Sequence, residues 1–218
     1  MAATAEGGKV TVHLIRTQDD IDAGIRWLGA REEVFARMRE TVGTIPLRLR
    51  PGGFQSLLSA IVSQQISVGA ADAVWNRLQA AGLTDARNIA TAPDEAFRAC
   101  GLSRQKIRYA RALAGSNIDF ATLGAADSDE VIATLTTISG IGRWSAEIYT
   151  MFSLGHADVL AAGDLALQEA ARMAFGLDKR PREAELRRLS ANWSPWRAVA
   201  ARMLWAYYRE TKKREGIR

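Results

Sequence analysis

The chain of 218 residues is long enough for one compact domain or for two small lobes that share a core. Its single cysteine excludes an internal disulfide and an iron–sulfur cluster, and its two distant histidines argue against a zinc site. The formal net charge is +5, and residues 172–218 hold 13 basic but only 5 acidic residues. This imbalance is typical of a nucleic-acid-binding face, although an arginine-rich composition can also reflect codon usage alone.

The pattern of apolar residues predicts an all-α fold, because Ala and Leu are abundant and apolar side chains recur at helical spacing. Residues 1–16 are expected to form an irregular or extended lead-in, with a candidate strand at KVTVHLI, and the final KKREGIR a solvated tail. No apolar run approaches the roughly 18 residues of a membrane span, and the N-terminus lacks an apolar signal core. We therefore expect a soluble, cytoplasmic protein with no membrane partner.

Start and stop signals bound the predicted helices in chain order. The first four are TQDDIDAGIRWLGA capped by Thr17, GGFQSLLSAIVSQQIS, VGAADAVWNRLQAAG ending at Gly82, and APDEAFRACG with Pro93 in its first turn. The other five are SRQKIRYARALAG between Ser103 and Gly115, SDEVIATLTTI capped by Ser128, GRWSAEIYTMFSLG, DLALQEAARMAFG, and SPWRAVAARMLWAYYRE capped by Ser194.

The stretch TTISGIGRWSAE, residues 136–147, joins two of these helices by a short turn. Gly140 and Gly142 suit the turn because glycine adopts positive φ without a Cβ penalty. They also leave the free amides of the second helix open to a phosphate, with the charge of Arg143 beside them. Such a hairpin binds the sugar–phosphate backbone without reading sequence, although an ordinary helix–helix connection would also explain these residues taken alone.

Four blocks of the chain resemble the helix-hairpin-helix (HhH-GPD) DNA glycosylase superfamily, and most closely its 3-methyladenine DNA glycosylase II branch. The blocks are FQSLLSAIVSQQISVGAADAVWNRL, LTTISGIGRWSAEIYTMF, DVLAAGDLALQEA and WSPWRAVAARMLWAYY. The resemblance implies two helical lobes with a DNA-binding cleft between them. Residues 51–160 would form one lobe, with the helix-hairpin-helix at about 128–153. Residues 1–50 would pack with residues 161–218, which carry the catalytic aspartate and the basic tail.

The catalytic aspartate of the superfamily falls on Asp164. From the residues alone Asp164 is interpreted as a helix N-cap, and the two roles are compatible. A carboxylate held at a helix start can stabilise the cation that develops on deoxyribose as the base departs. Asp158, the competing carboxylate, is interpreted as structural.

The resemblance also assigns the base pocket to Trp144, Trp205 and Ile148. Bifunctional members of the family carry a lysine at the position of Trp144, so we expect no AP-lyase activity here. An indole can stack on an extruded, positively charged alkylpurine. The family has an aromatic residue where this chain has Ile148, which leaves the range of accepted bases open. The remaining tryptophans are expected in the core: Trp27, Trp75, Trp193 and Trp196.

Further expectations concern the DNA contacts. By resemblance Gln65 occupies the place of the wedge that fills the gap left by the flipped nucleotide, and Gln64 supports its loop. The full set of expected contacts is Gln64, Gln65, Gly140, Gly142, Arg143 and Ser145. The resemblance also implies Na⁺ or K⁺ on the main-chain carbonyls of Thr136, Ile138 and Ile141, and no required cofactor.

The expected function is that of a monomeric, monofunctional glycosylase acting on double-stranded DNA, nucleoid-associated if the source is bacterial. It would hydrolyse the N-glycosidic bond of alkylated purines of the 3-methyladenine and 7-methylguanine class in base excision repair. A glycosylase for hypoxanthine, uracil or oxidised bases would share every block except the pocket. A non-catalytic helix-hairpin-helix DNA-binding protein would not need Asp164 beside Trp144.

Overall fold

The computed structural model describes residues 12–215, with side chains to Lys212. Within this range the chain forms thirteen α-helices and one short 3-10 helix, which confirms the all-α prediction. The helices are α1 (Gln18–Arg31), α2 (Glu33–Val42), α3 (Phe54–Ser63), α4 (Val68–Ala80), α5 (Ala86–Thr91), α6 (Asp94–Ala99), α7 (Arg104–Ala114), α8 (Phe120–Ala125), α9 (Ser128–Thr136), α10 (Arg143–Phe152), α11 (Leu165–Ala174), α12 (Glu183–Leu189) and α13 (Arg197–Glu215). The 3-10 helix, Ser190–Trp193, lies between α12 and α13. Residues 1–11 of the predicted lead-in and 216–218 of the predicted tail lie outside the described residues.

Short polar side chains start several helices where the sequence predicts. Thr17 forms a capping box with Asp20 at α1, each side chain bonding the other residue's amide. The hydroxyl of Ser103 accepts the amide of Lys106 at α7. These caps satisfy amides that have no partner inside the helix, which is why the starts can be read from sequence.

The predicted cap at Ser128 is wrong. Asp127 caps α9 instead, because its carboxylate accepts the amide of Glu130 at 2.8 Å from an extended backbone. Ser128 is the first residue of the helix, and its hydroxyl lies 2.9 Å from Nδ1 of the buried His156. The acidic residue one position earlier is already placed to accept the amide, so the serine side chain is left for a tertiary contact.

Two other predicted starts are displaced. Helix α13 begins at Arg197 rather than at Ser194, whose hydroxyl donates to Asp158 at 2.7 Å. The residues before Ser194 form the 3-10 helix, so the chain cannot enter α13 directly from them. Pro93 is the N-cap of α6, and the first turn starts one residue later at Asp94.

Four helices are absent from the sequence prediction: α2, α5, α8 and α12. The last three have only six or seven residues, too few for an apolar period to stand out. Helix α2 buries Phe35 and Met38, but its other positions are mainly polar or charged.

The candidate strand at KVTVHLI forms no sheet within residues 12–215. Its described end makes one isolated antiparallel bridge between Leu14 and His156. The amide of Ile15 donates to the carbonyl of Gly155 at 2.6 Å, beside that bridge. The extended segment therefore pairs with the loop between α10 and α11 instead of with a second strand.

The helices pack as two lobes. In one lobe α7 packs on α3 and α5, α4 packs on α3, and α9 packs on α10. In the other, α1, α2 and α11 pack on α13, so the described chain starts and ends in the same lobe. The core of this second lobe holds Trp193, which stacks on Phe175 at 5.7 Å between ring centroids and meets Phe35 edge-on at 5.3 Å.

The other tryptophans with predicted core positions also pack inward. Trp196 is buried, with its ring against Gly24, and Trp27 and Trp75 are partly buried against the core. Among the helices of residues 12–215, none combines the length and the apolar character that crossing a membrane requires.

Candidate active site

Asp164 is the N-cap of α11. Its Oδ1 accepts the amides of Ala166 at 2.9 Å and Leu167 at 3.0 Å, and its own amide donates to the carbonyl of Ala161 at 2.9 Å. The side chain is partly exposed, so the cap holds a carboxylate at a defined place that solvent still reaches. The N-cap assignment made from the sequence is therefore found in the structure.

Two indole rings donate to the same carboxylate. Nε1 of Trp144, in the first turn of α10, donates to Oδ2 of Asp164 at 3.0 Å. Nε1 of Trp205, on α13, donates to Oδ1 at 3.2 Å. The three residues come from three separate elements, so the packing of α10, α11 and α13 brings them together. An ionised carboxylate is an acceptor only, with about four lone-pair sites for such donors.

A cavity of about 290 Å³ lies beside Trp144, between α3 and α10. Its wall includes Trp144, Ile148 and Phe152 from α10. Ser145, expected among the DNA contacts, also lines this cavity. Trp205, predicted in the base pocket, does not line this cavity directly. Its ring packs behind the wall, on Phe152, with 5.8 Å between ring centroids. A volume near the low end of small-ligand sites can accept a single base.

Charged groups surround Phe152. The guanidinium of Arg202 lies 4.5 Å from its ring centroid, and that of Arg50 lies 5.6 Å away. Arg202 is buried and donates to the carbonyls of Ala198 and Met151. Burial lowers the pKa of Arg202 to about 10. Arg202 therefore connects α13 to Phe152, which forms part of the aromatic wall of the cavity.

The hairpin between α9 and α10 contains two glycines with different roles. Gly140 has φ +96°, and a Cβ there would collide with the ring of Tyr109. Gly142 has φ −81° and ψ 167°, so it does not use the positive φ that makes glycine suitable for the turn. Gly142 is instead the N-cap of α10, no side chain caps the helix, and a Cβ there would meet nothing within 4 Å. The first amides of α10 are therefore approachable from outside.

A second cavity, of about 530 Å³, opens between the hairpin and α7. Residues 136–142 line it, including Thr136, Ile138 and Ile141, the three expected cation ligands. Nε2 of Gln64 donates to the carbonyl of Gly140 at 2.9 Å, so Gln64 ties the end of α3 to the hairpin. Gln65 is exposed, with φ +56° in the left-handed region.

Comparison with known proteins decides the family. The family model described as HhH-GPD superfamily base excision DNA repair protein matches residues 58–195. The chain belongs to the HhH-GPD superfamily. The DNA-3-methyladenine glycosylase 1 of Schizosaccharomyces pombe is 33% identical over 161 residues, which cover 70% of this chain and 71% of the relative.

Two solved structures are similar to this HhH-GPD protein as well. The DNA-3-methyladenine glycosidase of Bacillus halodurans is 32% identical with a TM-score of 0.80, covering 94% of this chain and 95% of that one. The 3-methyladenine DNA glycosylase of Schizosaccharomyces pombe, in complex with abasic DNA, is 29% identical with a TM-score of 0.71. That match covers 84% of this chain and 95% of that one.

In this HhH-GPD chain Arg143 is tied to a buried carboxylate. Its Nε donates to Oε1 of Glu147 at 3.0 Å, and Nη2 of Arg187 donates to the same oxygen at 2.6 Å. Glu147 is 1% exposed. Burial raises the pKa of its carboxyl, although the two guanidinium groups act in the opposite direction. Sequence reasoning missed this brace between α10 and α12, because Glu147 and Arg187 are 40 residues apart.

Asp158 lies in a different environment from Asp164. Its Oδ2 accepts the hydroxyl of Ser194 at 2.7 Å and Nη1 of Arg197 at 3.0 Å. In this superfamily member Ser194 follows the 3-10 helix and Arg197 is the first residue of α13, so Asp158 connects the loop after α10 to the entry of α13. The contacts support its interpretation as a structural residue.

Proposed function

We propose that this protein is a monofunctional DNA glycosylase that hydrolyses the N-glycosidic bond of alkylated purines, of the 3-methyladenine and 7-methylguanine class, in base excision repair. One observation carries the proposal: the partly exposed carboxylate of Asp164 is hydrogen-bonded to an indole, Trp144, whose ring lines a cavity of about 290 Å³. The related proteins named 3-methyladenine glycosylases support the same substrate class.

Base extrusion is the first step of the proposed reaction. Flipping a base out of the duplex costs a few kcal/mol, and stacking on an aromatic ring returns about 1–3 kcal/mol. N-alkylated purines are positively charged in the nucleotide, and cation–π attraction to an indole adds about 0.5–2 kcal/mol. At ~1.4 kcal/mol per factor of ten, that attraction gives at most about thirtyfold discrimination. The rest of the selectivity comes from the chemistry of the leaving group.

The bond that breaks joins C1′ of deoxyribose to the purine nitrogen. Its electron pair leaves with the alkylated purine, which already carries a positive charge and departs neutral without a protonating acid. The sugar becomes cationic, and the carboxylate of Asp164 stabilises that charge. A water molecule that hydrogen-bonds to the carboxylate of Asp164 adds to C1′, its proton passes to solvent, and an abasic site remains.

We infer that strand cleavage does not follow. An AP-lyase reaction needs an amine nucleophile, and the wall of the base cavity contains no lysine among residues 12–215. Trp144 stands at the place where bifunctional members carry theirs. Incubation with lesion DNA and borohydride is expected to trap no protein–DNA adduct, and a trapped adduct would overturn this part of the proposal.

The proposed substrate is double-stranded DNA containing a damaged base, bound by a monomer. The open amides of α10 beside Gly142 support binding of a backbone phosphate. Gln65 is exposed next to the hairpin cavity, which supports its role as the wedge. The protein would act in the compartment that holds the DNA, the cytoplasm if the source is bacterial.

A monovalent cation at the hairpin is a further part of the proposal. Carbonyl oxygens are suitable ligands for hard cations, and Thr136, Ile138 and Ile141 all line the cavity there. Na⁺ or K⁺ bound by them would neutralise a DNA phosphate. The place of these three residues along one cavity supports a bound ion, and the proposed hydrolysis itself uses no cofactor.

The decisive experiment identifies the bases that the protein releases. Methylated genomic DNA is incubated with the protein, and free bases are separated and identified by mass spectrometry. Duplexes containing hypoxanthine, uracil or 8-oxoguanine are assayed in parallel. Release of 3-methyladenine and 7-methylguanine is expected. Release of only the other bases would reassign the lesion, and binding to abasic DNA without any release would favour a non-catalytic DNA-binding protein.

A further inference from the structure

The two oxygens of Asp164 are unequally occupied. Oδ1 accepts three donors: the amides of Ala166 and Leu167 and Nε1 of Trp205, at 2.9, 3.0 and 3.2 Å. Oδ2 accepts one donor, Nε1 of Trp144, at 3.0 Å. A carboxylate oxygen offers about two lone-pair sites. Oδ1 is therefore saturated, and Oδ2 is the oxygen with capacity left for a substrate.

Helix capping alone does not call for the two indoles. Asp119, the N-cap of α8, accepts the amides of Ala121 and Thr122 at 2.9 and 3.3 Å, as Asp164 does at α11. Its third partner is local, the hydroxyl of Thr122. The donors from α10 and α13 at Asp164 are thus additional to the capping function, and they reach the carboxylate from two other helices.

We infer that Trp144 and Trp205 are positioning residues that act as a two-indole clamp on Asp164, with Trp205 holding Oδ1 and Trp144 aiming Oδ2 at the reacting sugar. This inference rests on the proposed function. The capping amides fix the carboxyl group to α11, and the two indoles fix the rotation of its plane. Such fixed donors need no reorganisation when charge develops on the sugar.

The clamp also orients the stacking surface. Trp144 is 48% exposed, so packing holds its ring on one side only. Because its N–H edge is committed to Asp164, the ring plane is set by that bond, and its face is left for the base cavity that it lines. Trp205 is held separately, by the ring of Phe152. One hydrogen bond therefore couples the stacking surface to the carboxylate.

Tryptophan-to-phenylalanine variants separate the N–H group from the ring. Trp144→Phe and Trp205→Phe keep an aromatic face but remove the donor, and Trp27→Phe, on α1 and outside the lining of the base cavity, is the matched control. We expect each clamp variant to reduce the single-turnover rate of 7-methylguanine release about tenfold, with the Kd for DNA changed less than twofold. The control should match the wild type in both. A parallel loss of rate and DNA affinity in the clamp variants would overturn the clamp in favour of simple stacking.

A double-mutant cycle tests whether the indoles act through Asp164. In the Asp164→Asn background there is no charge to aim, so adding Trp144→Phe is expected to change the residual rate less than twofold. A further tenfold loss would show that Trp144 acts independently and would overturn the inference. Melting temperatures of all variants establish that each compared protein is folded.

An NMR readout is independent of activity. The ¹⁵N-indole cross-peaks of Trp144 and Trp205, assigned through the Phe variants, should move in Asp164→Asn, while that of Trp27 stays in place. Cross-peaks of both clamp residues that do not move would overturn the clamp whatever the activity. Displaced cross-peaks in a protein that releases no base from any DNA would support the clamp and overturn the proposed function.

Discussion

Asp164 and Asp119 occupy the same local position, the N-cap of a helix, and accept the same two kinds of amide. Asp119 is exposed, and its remaining partner is Thr122, three residues away. That hydroxyl and the two amides hold the pKa of Asp119 below its usual range. Asp164 instead meets two indoles, from residues 20 and 41 positions away. The comparison shows that an N-cap aspartate becomes a candidate catalytic residue only where the tertiary structure brings donors from other helices to its carboxylate.

The largest expected effect tests this comparison directly. Asp164→Asn should lower the single-turnover rate of alkylpurine release at least a hundredfold, about 2.7 kcal/mol in the barrier, with DNA binding largely kept. The asparagine still caps α11 through its one carbonyl oxygen, so the negative charge and one of the two acceptor oxygens are lost. Asp119→Asn is the matched control and should remain within twofold of the wild type. An active Asp164→Asn protein would remove Asp164 from the mechanism.

The two hairpin glycines extend the comparison to the backbone. Gly140→Ala should lower the free energy of unfolding by about 2 kcal/mol or more, because the site combines positive φ with a collision against Tyr109. Gly142→Ala should change it by less than about 0.5 kcal/mol, since the backbone is ordinary and the space open. Urea denaturation measures both values.

Gly142→Ala should weaken DNA binding even though it hardly changes the free energy of unfolding. The methyl group added by Gly142→Ala would stand in front of the first amides of α10, so we expect the Kd for an abasic duplex to rise about threefold to tenfold. Gly69→Ala on α4, where a Cβ also meets open space, is the control and should leave the Kd unchanged. An unchanged Kd in Gly142→Ala would contradict phosphate binding at this helix start.

The third comparison is between two glutamates, each of which pairs with an arginine four positions away on the same helix. Glu33 pairs with Arg37 on the surface, whereas Glu147 pairs with Arg143 and is buried under Arg187. Because the pKa of Glu147 is raised on folding, its contribution to stability is complete at low pH and is lost as pH rises through the raised value. The stability of the wild type relative to Glu147→Gln should therefore fall as the pH rises from about 4, the ordinary pKa of a glutamate, towards neutral.

Urea denaturation across this pH range checks the sign. Glu33→Gln is the control, and an exposed pair of this kind should contribute less than about 0.5 kcal/mol. A relative stability of the wild type that rises with pH would mean that Arg143 and Arg187 outweigh the burial of Glu147. In that case the brace between α10 and α12 would stabilise the protein as an ion pair at neutral pH.

Several helix starts were predictable from local capping rules. Thr17, Ser103 and Asp164 cap helices as the sequence predicts, because a cap involves residues two or three positions apart. Ser128 was wrongly assigned as a cap because the neighbouring Asp127 caps α9. Ser194 was wrongly assigned because it follows a 3-10 helix and α13 begins only at Arg197. The short helices α5, α8 and α12 were missed because six or seven residues are too few to show an apolar period, whereas α6, also of six residues, was predicted with Pro93 at its start.

The sequence by itself determined the all-α class, the starts of several helices, the hairpin and, through its four blocks, the superfamily. Only the tertiary structure decided that both indole N–H groups meet one carboxylate, that Gly140 is pressed against Tyr109, and that Glu147 is shared by two arginines. Capping and periodicity act within a few residues and can be read along the chain. The partners in these contacts lie up to 41 residues apart, so they meet only when α10, α11, α12 and α13 have packed.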